Sequence, residues 1–122
     1  MKKFLILVSI FIYSYSFAQS VLWMRYPAIS PDGQTIAFEY KGDIYTVPVS
    51  GGSASPLTIH EAYDYMPVWS PDGRSIAFAS DRSGNMDIYL ISSYGGTPKR
   101  LTYYSNGESP SSFTPDGQNV IF

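Results

Sequence analysis

Apolar and polar residues alternate along this chain in short runs, the spacing of β-strands rather than helices. In Thr35-Ile36-Ala37-Phe38-Glu39-Tyr40, Ile36 and Phe38 fall on one face. Ser75-Ile76-Ala77-Phe78-Ala79-Ser80 repeats the arrangement with Ile76 and Phe78. Beyond an N-terminal apolar run, no stretch sustains a helical period. Turn signals separate the strands. Ser30-Pro31-Asp32-Gly33 recurs as Ser70-Pro71-Asp72-Gly73 and Thr114-Pro115-Asp116-Gly117, with the aspartates 40 and then 44 residues apart. Pro presets the φ of a type I turn at its second position, and Gly after Asp takes positive φ without steric cost.

The flanks of the turn repeat as well. Gln34 to Phe38, Arg74 to Phe78 and Gln118 to Phe122 align, as do Asp43-Ile44-Tyr45 and Asp87-Ile88-Tyr89. Gly51-Gly52 and Gly95-Gly96 are each followed by a Leu-Thr pair, Leu57-Thr58 and Leu101-Thr102. Four extra residues in the second repeat fall between Phe78 and Asp87. Each repeat therefore predicts four strands. The first runs into Ile29, Trp69 or Phe113, the second carries the Phe, the third opens at the Asp-Ile-Tyr, and the fourth ends at the Leu-Thr.

A four-stranded unit of about 40 residues that is apolar on both faces is a β-propeller blade. The expected fold is all-β, with blade one at about 25–64, blade two at about 65–108 and the start of blade three at 109–122. Trp69, Phe38 and Phe78 are expected to pack between neighbouring blades. Closed propellers have about 4 to 8 blades. Two and a half blades fall short of that, so the chain is expected to be the N-terminal part of a longer protein.

Composition narrows the setting. The chain has 122 residues, 16% of them aromatic, and a net charge of −2, so it carries no basic footprint for nucleic acid. It has no Cys, which excludes a disulfide framework and a thiolate zinc site. Met1-Lys2-Lys3, the apolar run Phe4 to Tyr13 and the small residues Ser16 and Ala18 predict a signal peptide over 1–18, with the propeller segment over 19–122. Its apolar core is shorter than the roughly 20 residues of a membrane span. The expectation is an exported protein, periplasmic or extracellular, with no stable membrane insertion after cleavage.

No cofactor, metal or catalytic residue is expected. His60 is the single His, and with Glu61 and Asp64 it falls short of a zinc ligand set. No Gly-x-Ser-x-Gly elbow is present, and Gly51-Gly52-Ser53 opens no helix. The repeated Asp32, Asp72 and Asp116 are explained by their turns rather than by calcium. Asp81 and Arg82 are expected to contact each other within one loop. The loops between second and third strands share one end of the blades with the inter-blade connectors. That end gathers the candidate partner-binding or peptide-binding residues His60, Tyr63, Asp64, Asp81, Arg82, Tyr103 and Tyr104, a Tyr-rich and partly acidic set.

The run Trp69 to Arg82, with Asp87-Ile88-Tyr89, Gly95-Gly96 and Leu101-Thr102 behind it, resembles the TolB-type propeller repeat. Leu22-Trp23-Met24-Arg25-Tyr26-Pro27-Ala28-Ile29-Ser30 and Tyr45 to Gly52 resemble the start of exported bacterial tricorn-like serine peptidases. That resemblance implies propellers that control peptide access, followed by a PDZ domain and a catalytic domain with a Ser nucleophile. Blade one departs from the repeat with a short Glu39-Tyr40-Lys41-Gly42 loop, and blade three has Phe113-Thr114 in place of Trp-Ser. No position matches a catalytic motif of the peptidases, so none is carried over. Two other functions fit the same blades: a TolB-like scaffold that docks a protein, and the propeller of another hydrolase such as an amidohydrolase.

Overall fold

The computed structural model describes residues 23–122. The expected signal peptide over 1–18 lies outside the described residues. Three antiparallel sheets follow in chain order. The first joins β1 (Arg25–Ile29), β2 (Thr35–Tyr40), β3 (Asp43–Pro48) and β4 (Ser55–Pro56), in that spatial order. The second joins β5 (Asp64–Trp69), β6 (Ser75–Ser80), β7 (Asp87–Ser92) and β8 (Lys99–Arg100) in the same way. β9 (Ser112–Phe113) and β10 (Val120–Ile121) form the opening hairpin of a third. The described residues contain no helix. Asp64, the last residue expected in blade one, opens the first strand of the second sheet.

The repeated turn is built the same way each time. Gly33, Gly73 and Gly117 donate their amides to the Ser30, Ser70 and Thr114 carbonyls at 2.8–2.9 Å and sit at φ of 70–71°. Asp72 Oδ1 accepts the Ser70 hydroxyl at 2.6 Å and the Arg74 amide at 3.0 Å, while Ser70 Oγ accepts the Ser75 amide at 2.9 Å. Asp32 does the same with Ser30 and Gln34. Asp116 uses Thr114 and Gln118, so Thr replaces Ser without losing the bond. The side-chain hydroxyl, then the backbone amide, hold all three carboxyls below the usual carboxylate range.

The core lies between the first two sheets. Because side chains alternate, Ala37 and Ile44 leave one face of the first sheet and meet Ile76, Phe78, Tyr89 and Ile91 of the second. Leu57 and Trp69 close the edges of this cluster, and Trp69 Nε1 donates to the Ala28 carbonyl at 3.0 Å across the interface. Phe78 and Trp69 therefore sit between blades, as expected. Phe38 does not. It pairs across strands with Tyr45, stacked at 6.0 Å, on the face of the first sheet turned away from the second. The alternation that sends Ala37 inward sends Phe38 outward. The opposite face of the second sheet, with Ala77, Ala79 and Ile88 fully buried, is turned toward the third unit.

The first strand of each blade carries a feature that periodicity does not predict. β1 and β5 shift register between Arg25 and Ala28 and between Tyr65 and Val68. At each bulge a residue with a side chain takes positive φ: Tyr26 at 52° and Met66 at 54°. The next equivalent position, 44 residues after Met66, is Pro110, whose ring forbids positive φ; β9 begins only at Ser112.

Two outcomes follow from the turn. In the longer protein, Gly73→Val should cost about 1–2 kcal/mol in urea unfolding, because a Cβ at positive φ is strained. Gly73→Asn should cost less. The site itself is roomy, since a Cβ at Gly73 would stand 3.7 Å from Pro31 Cδ, so φ and not crowding decides the loss. Ser70→Ala should raise the Asp72 pKa, read by NMR titration. Asp72 is depressed in the folded state, so its contribution to stability is present above the unfolded carboxylate pKa. It is lost as pH falls through the folded value, and in the variant the contribution is smaller and its loss is complete at higher pH.

Candidate functional site

The loops between second and third strands and the inter-blade connectors meet at one end of the sheets. Gly42 O accepts the Asp64 amide at 2.8 Å and Met86 O accepts the Glu108 amide at 2.8 Å, so each connector is tied to the preceding blade's loop. Blade one makes its tight turn with Gly42 at φ 88°, its amide donated to buried Glu39 Oε1 at 2.8 Å. A Cβ at Gly42 would stand 3.3 Å from the Tyr63 ring, so the connector packs directly on this turn.

Blade two uses side chains instead. Asp81 Oδ1 accepts the Tyr63 amide at 2.8 Å, fixing the connector. Arg82 reaches in the other direction. Its Nη2 donates to Asp64 Oδ2 at 2.7 Å and its Nε to Ser80 Oγ at 2.9 Å. Its guanidinium lies over the Phe78 and Tyr89 rings, 5.5 and 4.9 Å from their centroids. The expected Asp81–Arg82 contact is thus replaced by two separate bonds. Neighbours in sequence point to different elements here, and each finds a better partner 18 residues away.

The seven expected residues share this end but not one role. His60, Tyr103 and Tyr104 are exposed. His60 donates its amide to Asp43 Oδ1 at 3.0 Å and accepts the Ala62 amide at Nδ1 at 2.9 Å, a loop-capping arrangement. Tyr103 carries the Arg100 guanidinium 4.4 Å from its ring centroid. Tyr63 is half-buried beside Tyr65 at 5.5 Å, and Tyr65 meets Tyr26 at 5.5 Å, giving a row of three rings that runs from the connector across the first strands of both blades. Burial, then the Glu39 charge, pushes the Tyr63 phenol above its usual value. Asp64 is fully buried, and Arg82 is 14% exposed, so this pair holds the loop rather than offering a contact.

Sequence reasoning missed Glu39, Asp87 and Arg100. Asn85 Nδ2 donates to the Tyr104 and Asn106 carbonyls at 2.8 and 3.1 Å and pins the second connector. Arg100 brings Nη2 to 2.8 Å from Asp87 Oδ2, a charge contact off hydrogen-bond alignment. Asp87 shows in the repeat as the counterpart of Asp43, but its different partner does not: Asp43 takes the Thr58 hydroxyl at 3.2 Å. Among the described residues no group of three or more His, Asp and Glu side chains is arranged to hold a metal.

Stacked four-stranded sheets with inter-blade connectors define the opening of a β-propeller. Residues 21–122 match the family described as the tricorn protease N-terminal beta propeller domain, and the chain belongs to that family. A TolB-like structure from Agrobacterium tumefaciens, described as putative TolB, superposes with a TM-score of 0.72 at 30% identity, covering 86% of this chain and 39% of that one. The tricorn protease structure gives 0.68 at 26% identity over 81% of this chain and 10% of that one. Among curated proteins, the uncharacterized peptidase YuxL of Bacillus subtilis is 33% identical over 106 residues, 78% of this chain. Dipeptidyl-peptidase 5 of Porphyromonas gingivalis is 31% identical over 71 residues, 50% of this chain. The chain spans 16% and 10% of the length of these two relatives.

The buried pair sets the prediction for this end. Asp64→Ala strands the Arg82 charge against two aromatic rings and should destabilise the longer protein by about 3–5 kcal/mol. His60→Ala should cost under about 0.5 kcal/mol, because its ring is exposed. Chemical denaturation of both variants checks the ranking.

Proposed function

We propose that this chain opens the access propeller of an exported, tricorn-like serine peptidase and binds or gates peptide for a catalytic domain elsewhere in the protein. The observation that carries the reading is the family match across residues 21–122. Peptidase-named relatives at 33% and 31% identity support it. Export rests on the basic start, apolar run and small residues of positions 1–18.

The peptide-facing surface in this reading is the loop-and-connector end. Tyr103, Tyr104 and the Tyr63–Tyr65–Tyr26 row offer rigid amphipathic rings, and Asp81 adds a carboxylate at the rim. His60 serves the connector rather than the chemistry, since its Nδ1 is occupied by the Ala62 amide. The superposition on a TolB-like structure at a TM-score of 0.72 favours a second reading, a scaffold that docks a protein partner.

Peptide hydrolysis separates the two. The longer protein should cleave peptides, residues 19–122 alone should not, and His60→Ala in the longer protein should keep its activity. Loss of activity in a folded His60→Ala variant would place chemistry in this segment. A longer protein inactive on every peptide tried would put the scaffold reading first.

A further inference from the structure

Glu108 has a partner position that the repeat identifies. It stands 44 residues after Asp64, the same offset that separates Asp72 from Asp116 and Phe78 from Phe122. The backbone equivalence is equally close: Asp64 donates its amide to Gly42 O and Glu108 to Met86 O, both at 2.8 Å. Asp64 then places its carboxylate against Arg82. Glu108 Oε2 is buried and accepts no hydrogen bond among the described residues. Glu108 as a whole is half-buried, and a carboxylate oxygen taken out of water without a donor is disfavoured.

We propose that Glu108 is the receiving half of a buried ion pair whose guanidinium arrives on the loop after the second strand of blade three. The proposal rests on the reading of this chain as the start of a longer propeller. Arg82 lies four residues after Phe78, so the donor is the residue four places after Phe122. Arginine fits better than lysine. In blade two the group satisfies Ser80 Oγ and Asp64 together and stands over Phe78, 5.5 Å from its centroid, and Phe122 supplies the equivalent ring in blade three. The pair would lock the connector 103–108, which carries Tyr103 and Tyr104, to the third blade as Arg82 locks blade two.

The test uses the longer protein. Its residue four places after Phe122 should be arginine, and an acidic or apolar residue there overturns the proposal. Glu108→Ala and the matching Arg→Ala should each lower the melting temperature by a few degrees, and the double variant should lower it no further. Additive losses, or a Glu108→Gln variant that melts higher than the parent, would show an unpaired carboxylate and overturn the pair while leaving the propeller intact. A continuation without third-blade strands would overturn both the propeller reading and this proposal.

Discussion

Each sheet in this chain is apolar on both faces, and one sheet alone covers neither. That constraint organises the rest. The first sheet presents small and branched residues, Ala37 and Ile44, to the large ones of the second, Ile76, Phe78, Tyr89 and Ile91. Large-against-small pairing lets two twisted sheets approach closely without voids. Burying a side chain such as Phe78 contributes about 1.5–3 kcal/mol, so the interface and not the individual hairpin carries the stability. The sheet's other face, Ala77, Ala79 and Ile88, repeats the small surface for the next unit. Stacking therefore propagates in one direction, large face on small face.

Stacking brings one end of every blade into register, and polar chemistry fixes it there. Blade one does so with a glycine turn on Glu39, and blade two with Asp81 and Arg82. The loop four residues longer in blade two is what admits the arginine. The consequence is a rigid base from which the connector residues Tyr103 and Tyr104 project, exposed on anchored backbone. A pre-ordered rim of this kind loses little entropy on contact with a partner.

The strands are legible in the repeat because turn, alternation and spacing agree. Gly73 at positive φ follows from Asp72-Gly73 alone, and the third strand opening at Asp43 or Asp87 follows from the shared Asp-Ile-Tyr. Phe38 and Phe78 lie on the same face of their blades, but only Phe78 meets another described blade there, since blade one meets blade two with its other side. A motif gives each residue's face within a blade but not which neighbour covers it. The Arg82–Asp64 pair is hidden for a similar reason: local spacing favours Asp81, while folding brings Asp64 to the guanidinium. The bulges at Tyr26 and Met66 leave no signal, since neither residue favours positive φ by itself.

Hydrogen exchange on the longer protein tests the inter-blade interface most directly. Ile76→Ala removes apolar volume from the second sheet at its contact with the first. Coupling through that face predicts faster exchange not only in β6 and β7 but also in β2 and β3 of blade one, around Ala37 and Ile44. Faster exchange confined to blade two, with blade one as protected as before, would contradict the account.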